Sequence, residues 1–274
     1  MRLAFFGDVV GKPGRTAVTD HLPALKRALA LDFVVVNAEN AAGGFGLTEA
    51  IAEDFFNAGA DCLTLGDHAW DQREMLGYID REPRLLRPLN YPAQAAAPGR
   101  GASLFTTSDG RRVGVVQVQG NAFMRQTLEN PFLSVDAALA ELALGQVSDA
   151  LVVDIHCEAT SEKMAMGHYC DGRASLVVGS HTHVPTADTM ILPRGTAYQT
   201  DAGMCGDYNS VIGMRADISL YRFETQMPGE RYQPALGEGT LAGVFVETDD
   251  RTGLATRIEP LRVGGRLSPA QPAA

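Results

Sequence analysis

Phe33-Val34-Val35-Val36-Asn37-Ala38-Glu39-Asn40 is an apolar run of four that stops in an amide, a carboxylate and a second amide. A β-branched run of that length with polar residues at its end reads as a buried strand. The same pattern recurs four more times. Leu3-Ala4-Phe5-Phe6 runs into Gly7-Asp8, and Cys62-Leu63-Thr64-Leu65 runs into Gly66-Asp67-His68. Leu151-Val152-Val153 leads to Asp154-Ile155-His156, and Leu176-Val177-Val178 leads to Gly179-Ser180-His181-Thr182-His183. Strands that end in ligands, one after another, bring those ligands to one edge of a sheet. That edge is where the chain is expected to do its chemistry.

Helices are expected between the strands. Val18, Leu22, Leu25 and Leu29 recur on one helical face, and Thr48 can cap a helix carrying Ile51, Phe55 and Ala58. A short helix from Asp71 to Ile79 follows the third strand. This alternation implies a largely parallel sheet in an α/β fold. After four spaced prolines, Ala102–Thr107 and Arg112–Gln119 read as a hairpin turned at Asp109-Gly110. Helices over Val135–Leu144 and Ser161–Tyr169 flank the Leu151 strand. Beyond His183 the pieces Ala197–Thr200, Ile218–Phe223, Leu241–Glu247 and Leu254–Leu261 read as strands of a more antiparallel half. One domain of two packed sheets with flanking helices is expected over 1–265, with a polar tail over 266–274 that frays.

The bulk numbers narrow the function. Of the 274 residues 45% are hydrophobic, as in a globular protein, and the formal charge is −10. Tight binding of long nucleic acid needs a basic surface and is not expected. A small phosphorylated substrate is allowed, because bound metals reverse the local field. The first apolar run is too short for a signal peptide and no stretch reaches the roughly 18 apolar residues of a spanning helix. A cytoplasmic protein with no membrane partner is expected; a homo-oligomer stays open. Cys62, Cys157, Cys170 and Cys205 show no paired spacing, so they read as buried structural residues.

The strand-end set is Asp8, Glu39, Asn40, Asp67, His156, His181 and His183. Carboxylate, amide and imidazole donors without thiolate suit Mn, Fe or Zn. Seven donors are too many for one tetrahedral ion and suit two ions that share a carboxylate. Such a pair, about 4 Å apart, polarises a phosphoryl group. His181 and His183, two apart, could serve one ion each or both the same one. Gly11-Lys12-Pro13-Gly14 fails the P-loop spacing, and Gly43-Gly44-Phe45-Gly46 fails the dinucleotide one.

Gly7-Asp8-Val9-Val10-Gly11, Asn37-Ala38-Glu39-Asn40, Gly66-Asp67-His68-Ala69-Trp70-Asp71, Asp154-Ile155-His156 and Ser180-His181-Thr182-His183-Val184 resemble the motifs of the calcineurin-like metallophosphoesterases. The linking pieces Ala41-Ala42-Gly43-Gly44-Phe45-Gly46, Ser161-Glu162-Lys163 and Thr186-Ala187-Asp188 are similar to its bacterial YmdB-like branch. The resemblance implies a four-layer α/β/β/α sandwich of two mixed sheets and a phosphodiesterase acting on small cyclic nucleotides. It implies two divalent or trivalent ions, Fe or Mn before Zn. Glu39 would bridge them, with Asp8, His183 and Asn40 on one and Asp67, His156 and His181 on the other. A metal-bridging hydroxide would attack phosphorus in line, with His68 as the general acid. A phosphomonoesterase or protein phosphatase on the same site, or a metal-containing protein that acts by binding a partner, are the alternatives. Trp70 could stack on a base near His68 or pack in the core. Two positions depart from the wider pattern. Val10 stands where the superfamily has a histidine, and Asp67 stands where the family typically has asparagine.

Overall fold

The computed structural model describes residues 1–272. The first half runs β1 (Arg2–Phe6), β2 (Asp8–Val9), α1 (Gly11–Ala28), β3 (Phe33–Asn37), α2 (Glu49–Ala58), β4 (Cys62–Thr64), α3 (Met75–Tyr78) and β5 (Leu85–Leu86). β6 (Ala102–Thr106) and β7 (Arg112–Gln119) form the hairpin, followed by α4 (Pro131–Glu141), β8 (Ala150–His156), α5 (Thr160–Cys170) and β9 (Leu176–Ser180). The rest is β10 (Met190–Ile191), β11 (Ala197–Gln199), β12 (Met204–Cys205), α6 (Ala216–Thr225), β13 (Leu241–Thr248) and β14 (Ala255–Val263).

Among the described residues two six-stranded sheets form, in the orders β14-β13-β1-β3-β4-β5 and β10-β11-β9-β8-β7-β6, with β2 and β12 paired separately. β1, β3, β4 and β5 pair in parallel, as do β7, β8, β9 and β11, while β13, β14, β6 and β10 pair antiparallel. Because side chains alternate along a strand, each strand feeds two layers. Leu3 and Phe5 of β1, Phe33 and Val35 of β3, and Cys62 of β4 meet Val113, Val115, Val152, Leu176 and Val178 of the other sheet in one buried cluster. The opposite faces carry Ala4, Phe6, Val34 and Val36 against Leu22, Leu25 and Phe55 of α1 and α2. Leu151, Val153 and Ile155 pack on Val135, Leu139 and Met166 of α4 and α5. The layers are therefore helix, sheet, sheet, helix. Burial on both faces is why these strands read as unbroken apolar runs.

Two expectations need correction. Ile218–Phe223 lies inside helix α6 and is not a strand. A strand there would need a sheet partner, but only Ile218 and Ser219 are buried and the helix lies outside the sheets. Asp217 in its first turn and Arg222 in its last suit the helix dipole. The helix expected over Asp71–Ile79 shrinks to Met75–Tyr78. Asp71 and Gln72 are committed elsewhere, Asp71 to His68 at 2.8 Å and Gln72 to the Phe45 carbonyl at 2.8 Å. At the C-terminus Ala270 exchanges backbone hydrogen bonds of 2.7 and 3.1 Å with Arg262. Residues 273 and 274 of the expected tail lie outside the described residues. Among the described residues no helix is long and apolar enough to cross a membrane.

Candidate metal centre

The inter-sheet row changes character toward the C-terminal strand ends. Val35, Cys62, Val152 and Val178 are apolar; two residues on, Asn37, Thr64, Asp154 and Ser180 point into the same layer and are buried. Another two residues on come Glu39, Gly66 and His156. Period-two geometry thus carries one column from hydrocarbon, through a polar network, to a cluster of donors.

All seven donors expected from the sequence converge there. Single ligand atoms of Glu39, Asp67, His156 and His181 lie within 4.8 Å of one another, as do those of Asp8, Glu39 and His183. Glu39 belongs to both groups. His156 Nε2 stands 3.2 Å from Glu39 Oε1 and 3.1 Å from Asp67 Oδ1. His181 Nδ1 is 3.3 Å from Asp67 Oδ1. The Asn40 amide nitrogen is 2.9 Å from Glu39 Oε1 and 3.1 Å from His183 Nε2. His68 stands at the edge, its backbone N–H donating to Glu39 Oε2 at 3.1 Å and its Nδ1 facing Asp71 Oδ2 at 2.8 Å.

The electrostatics follow from three carboxylates in a small buried volume. Burial pushes the Asp8 carboxyl up. At Glu39 and Asp67 burial works the same way, but the imidazole of His156, joined by His181 at Asp67, wins and holds both carboxyls below the usual range. At His156 burial disfavours the charge, and Glu39, Asp67 and Asp8 outweigh it to hold the ring well above its ordinary range. His68 is raised in the same way, with burial outweighed by Glu39, Asp67 and Asp71. The cluster calls for positive charge.

The residues fit a pair of cations. Asp8 Oδ1 is buried with no hydrogen-bond partner, an atom that demands a ligand. A Cβ on Gly66 would fall 2.2 Å from Glu39 Oε2 and 2.4 Å from His156 Nε2, so only glycine leaves the centre of the cluster open. The donors are oxygen and nitrogen throughout, and all four cysteines are free and buried elsewhere.

The sequence profile of YmdB-like proteins matches residues 4–261. The chain belongs to the YmdB-like family. A 2′,3′-cyclic-nucleotide 2′-phosphodiesterase of Bacillus subtilis (strain 168) is 45% identical over 263 residues, 96% of this chain and 97% of that protein. The crystal structure of a hypothetical protein from Thermus thermophilus matches with TM-score 0.89 and 41% identity, covering 97% of this chain and 100% of its own. That of a novel phosphatase from Mycoplasma pneumoniae matches with TM-score 0.88 and 33% identity, covering 96% and 93%.

The YmdB-like chain also holds its donors with residues that no motif reading assigned. Ser180 Oγ gives its single proton to Asp154 Oδ1 at 2.7 Å, so it accepts from His156 Nδ1 at 2.9 Å. The Ile212 carbonyl can only accept, so His183 Nδ1, 2.7 Å away, carries its proton there. Both rings are thereby turned with Nε2 toward the cluster. Asp154 also accepts from Thr64 Oγ1 at 2.6 Å and Asn37 Nδ2 at 3.3 Å, and burial pushes its carboxyl up to about 6. Its place two residues before His156 was a signal in the sequence, since i and i+2 share a strand face. Of the two settings open to Trp70, the structure shows packing: it lies against the α1–α2 core cluster and 6.0 Å from Tyr91.

The loop that carries His181 and His183 is bent, both residues having positive φ, 98° and 66°. Asp201 clamps it by accepting from Thr182 N at 3.1 Å and Thr182 Oγ1 at 2.7 Å. Lys163 Nζ, with a fully buried side chain, meets the same oxygen of Asp201 at 2.6 Å. Lys163→Met would leave the Asp201 charge buried without its partner. We expect it to lower stability by about 3 kcal/mol. In a thermal melt of metal-free protein that is a drop of roughly 6–12 °C. A melt within about 2 °C of the parent would show the pair to be dispensable.

Proposed function

We propose that this YmdB-like chain, a phosphoric ester hydrolase by kinship, is a two-metal phosphodiesterase that opens small 2′,3′-cyclic nucleotides. The observation that carries the reading is the pair of donor groups sharing Glu39, of which Glu39, His181 and His183 line a cavity of about 390 Å³. The B. subtilis relative is named for that activity, and its likeness spans nearly the whole chain. Asp8, His183 and Asn40 would hold one ion, Asp67, His156 and His181 the other, with Glu39 between them. Two such ions supply Lewis acidity toward phosphoryl oxygens and ionise a water near neutral pH. The mixed carboxylate and imidazole set suits Mn, Fe or Zn, and the family resemblance puts Fe or Mn first. His68 opens onto the same cavity. Its Nδ1–H is spent on Asp71, so the doubly protonated ring would give its Nε2 proton to the leaving oxygen and become neutral. Four free thiols, three pushed up to about 12 by burial, fit the reducing cytoplasm in which we place the protein.

The test is hydrolysis of bis-p-nitrophenyl phosphate by metal-stripped protein, with and without Mn²⁺, beside p-nitrophenyl phosphate. Activity that returns with Mn²⁺ and favours the diester is expected. A faster monoester would make the protein a phosphomonoesterase, and inertness of folded, loaded protein would point to a binding role.

Asp67 supplies a full charge where an asparagine would give a neutral oxygen, and its side chain is 14% exposed between His156 and His181. Asp67→Asn is expected to release metal about tenfold more readily while turnover of the loaded enzyme rises. Unchanged metal affinity and unchanged rate would show that the charge does nothing here.

A further inference from the structure

The cavity has two unlike sides. Glu39, Asn40, His181 and His183, with His68, Thr182 and Glu158, form one. The other is apolar and comes from three separate parts of the chain: Phe45 beside the first donor loop, Ile212 and Met214, and Phe223 and Tyr232 on and after α6. Apart from Phe45 this side belongs to no quoted motif, and the proposed chemistry does not use it.

We infer that the apolar side is a nucleobase subsite, in which the base of the substrate lies against Phe223 and Tyr232 while its phosphate faces the donors. This rests on the phosphodiesterase reading given above.

Four observations support it. Both sides are tied to the same atoms, because the carbonyl of Ile212 holds His183 and the Phe45 ring meets His68 edge-on, centroids 5.2 Å apart. A ligand gripped by its phosphate therefore has its remainder beside these residues. Phe223 is 69% exposed, Ile212 52% and Tyr232 36%, so a patch of large apolar groups is left open at the mouth of a polar site. Tyr232 is braced rather than loose. The Arg222 guanidinium lies over its ring at 4.2 Å and donates to the Glu230 carbonyl at 2.5 Å, which pins the segment after α6 back onto the helix. Finally, the volume of about 390 Å³ falls in the range of roughly 300–1,000 Å³ that holds small ligands.

Aromatic rings suit the flat π-face of a base, and stacking accepts any base, because it reads no hydrogen-bond edge. An aliphatic occupant, such as the chain of an alkyl phosphodiester, would gain from the apolar area alone and not from ring geometry.

The experiment uses Mn²⁺-loaded enzyme and three diesters: 2′,3′-cyclic AMP, ethylene phosphate as the bare five-membered cyclic diester, and an alkyl p-nitrophenyl phosphate. The quantity read is the ratio of kcat/KM for the nucleotide to that for ethylene phosphate, in the parent, Phe223→Ala, Tyr232→Ala and Tyr232→Phe. Each alanine variant should lower the ratio about tenfold, chiefly through KM for the nucleotide, and Tyr232→Phe should retain it. The two side chains are solvent-facing, so the fold is not at stake. Equal parent rates on nucleotide and bare ring, ratios unmoved by both alanines, or a loss on the alkyl diester in both alanines as large as that on the nucleotide would each overturn the subsite while leaving the diesterase standing. Inertness toward all three would defeat the phosphodiesterase reading itself.

Discussion

Glu39→Ala is expected to purify with its metal content collapsed and its diesterase rate reduced at least about a thousandfold, roughly 4 kcal/mol of barrier. No other residue belongs to both donor groups. Removing Asp8 or Asp67 takes one donor from one group, whereas removing Glu39 takes one from each. It also frees the His68 backbone N–H that Glu39 Oε2 accepts at 3.1 Å, so the proposed acid loses its anchor with the metals. Glu39→Gln keeps the shape and the acceptor but not the charge, and should lie between parent and alanine in bound metal. Elemental analysis beside steady-state rates checks this. Full metal occupancy with parental turnover in Glu39→Ala would contradict the shared-carboxylate arrangement.

The second large effect concerns His68. With alanine there, turnover should fall about 10²–10⁴-fold, the usual share of a general acid, while bound metal stays at the parental level. The side chain is 28% exposed, and Asp71 takes its Nδ1, so its other nitrogen is the one open to a substrate. The diagnostic is the leaving group. A nitrophenolate leaves unaided, a ribose hydroxyl does not, so the loss should be much greater on 2′,3′-cyclic AMP than on bis-p-nitrophenyl phosphate. Equal losses on the two would remove the acid role, and loss of metal would make His68 a ligand.

The sequence made the strand ends readable because chemistry and topology coincide there. An apolar run that stops in Asp, Glu or His is both a buried strand and a donor delivered to the sheet edge, and Asp8, Glu39, Asp67, His156, His181 and His183 all carried that double signal. α6 reads as a strand because Ile218, Leu220, Tyr221 and Phe223 make a short aliphatic and aromatic run, and nothing local says that no strand lies beside them. Lys163 and Asp201 stand 38 residues apart, and a lysine on a helix gives no sign that it will be wholly buried. The apolar side of the cavity was unreadable for a similar reason: Phe45, Ile212 and Tyr232 are neighbours only once both sheets are packed. Asp154 and Ser180 were legible in principle, being in step with His156 and the β9 column.

Glu39 and Asp67 follow β3 and β4 of one sheet, His156 ends β8 and His181 and His183 follow β9 of the other, and Asp8 stands on β2, which pairs with β12, so the cluster straddles a seam. Its gauge is not set by the loops alone. It also follows the thickness of the apolar filling beneath, packed sheets in general standing about 10 Å apart. Phe5, Val35, Val152 and Val178 act as shims under that seam, far from any substrate. Since well-packed interiors transmit strain rather than absorb it, a methylene added or removed there reaches the donors as a change in spacing. Drift in this layer must conserve volume, and a core substitution that changes volume there would be read out at the donors as well as in stability.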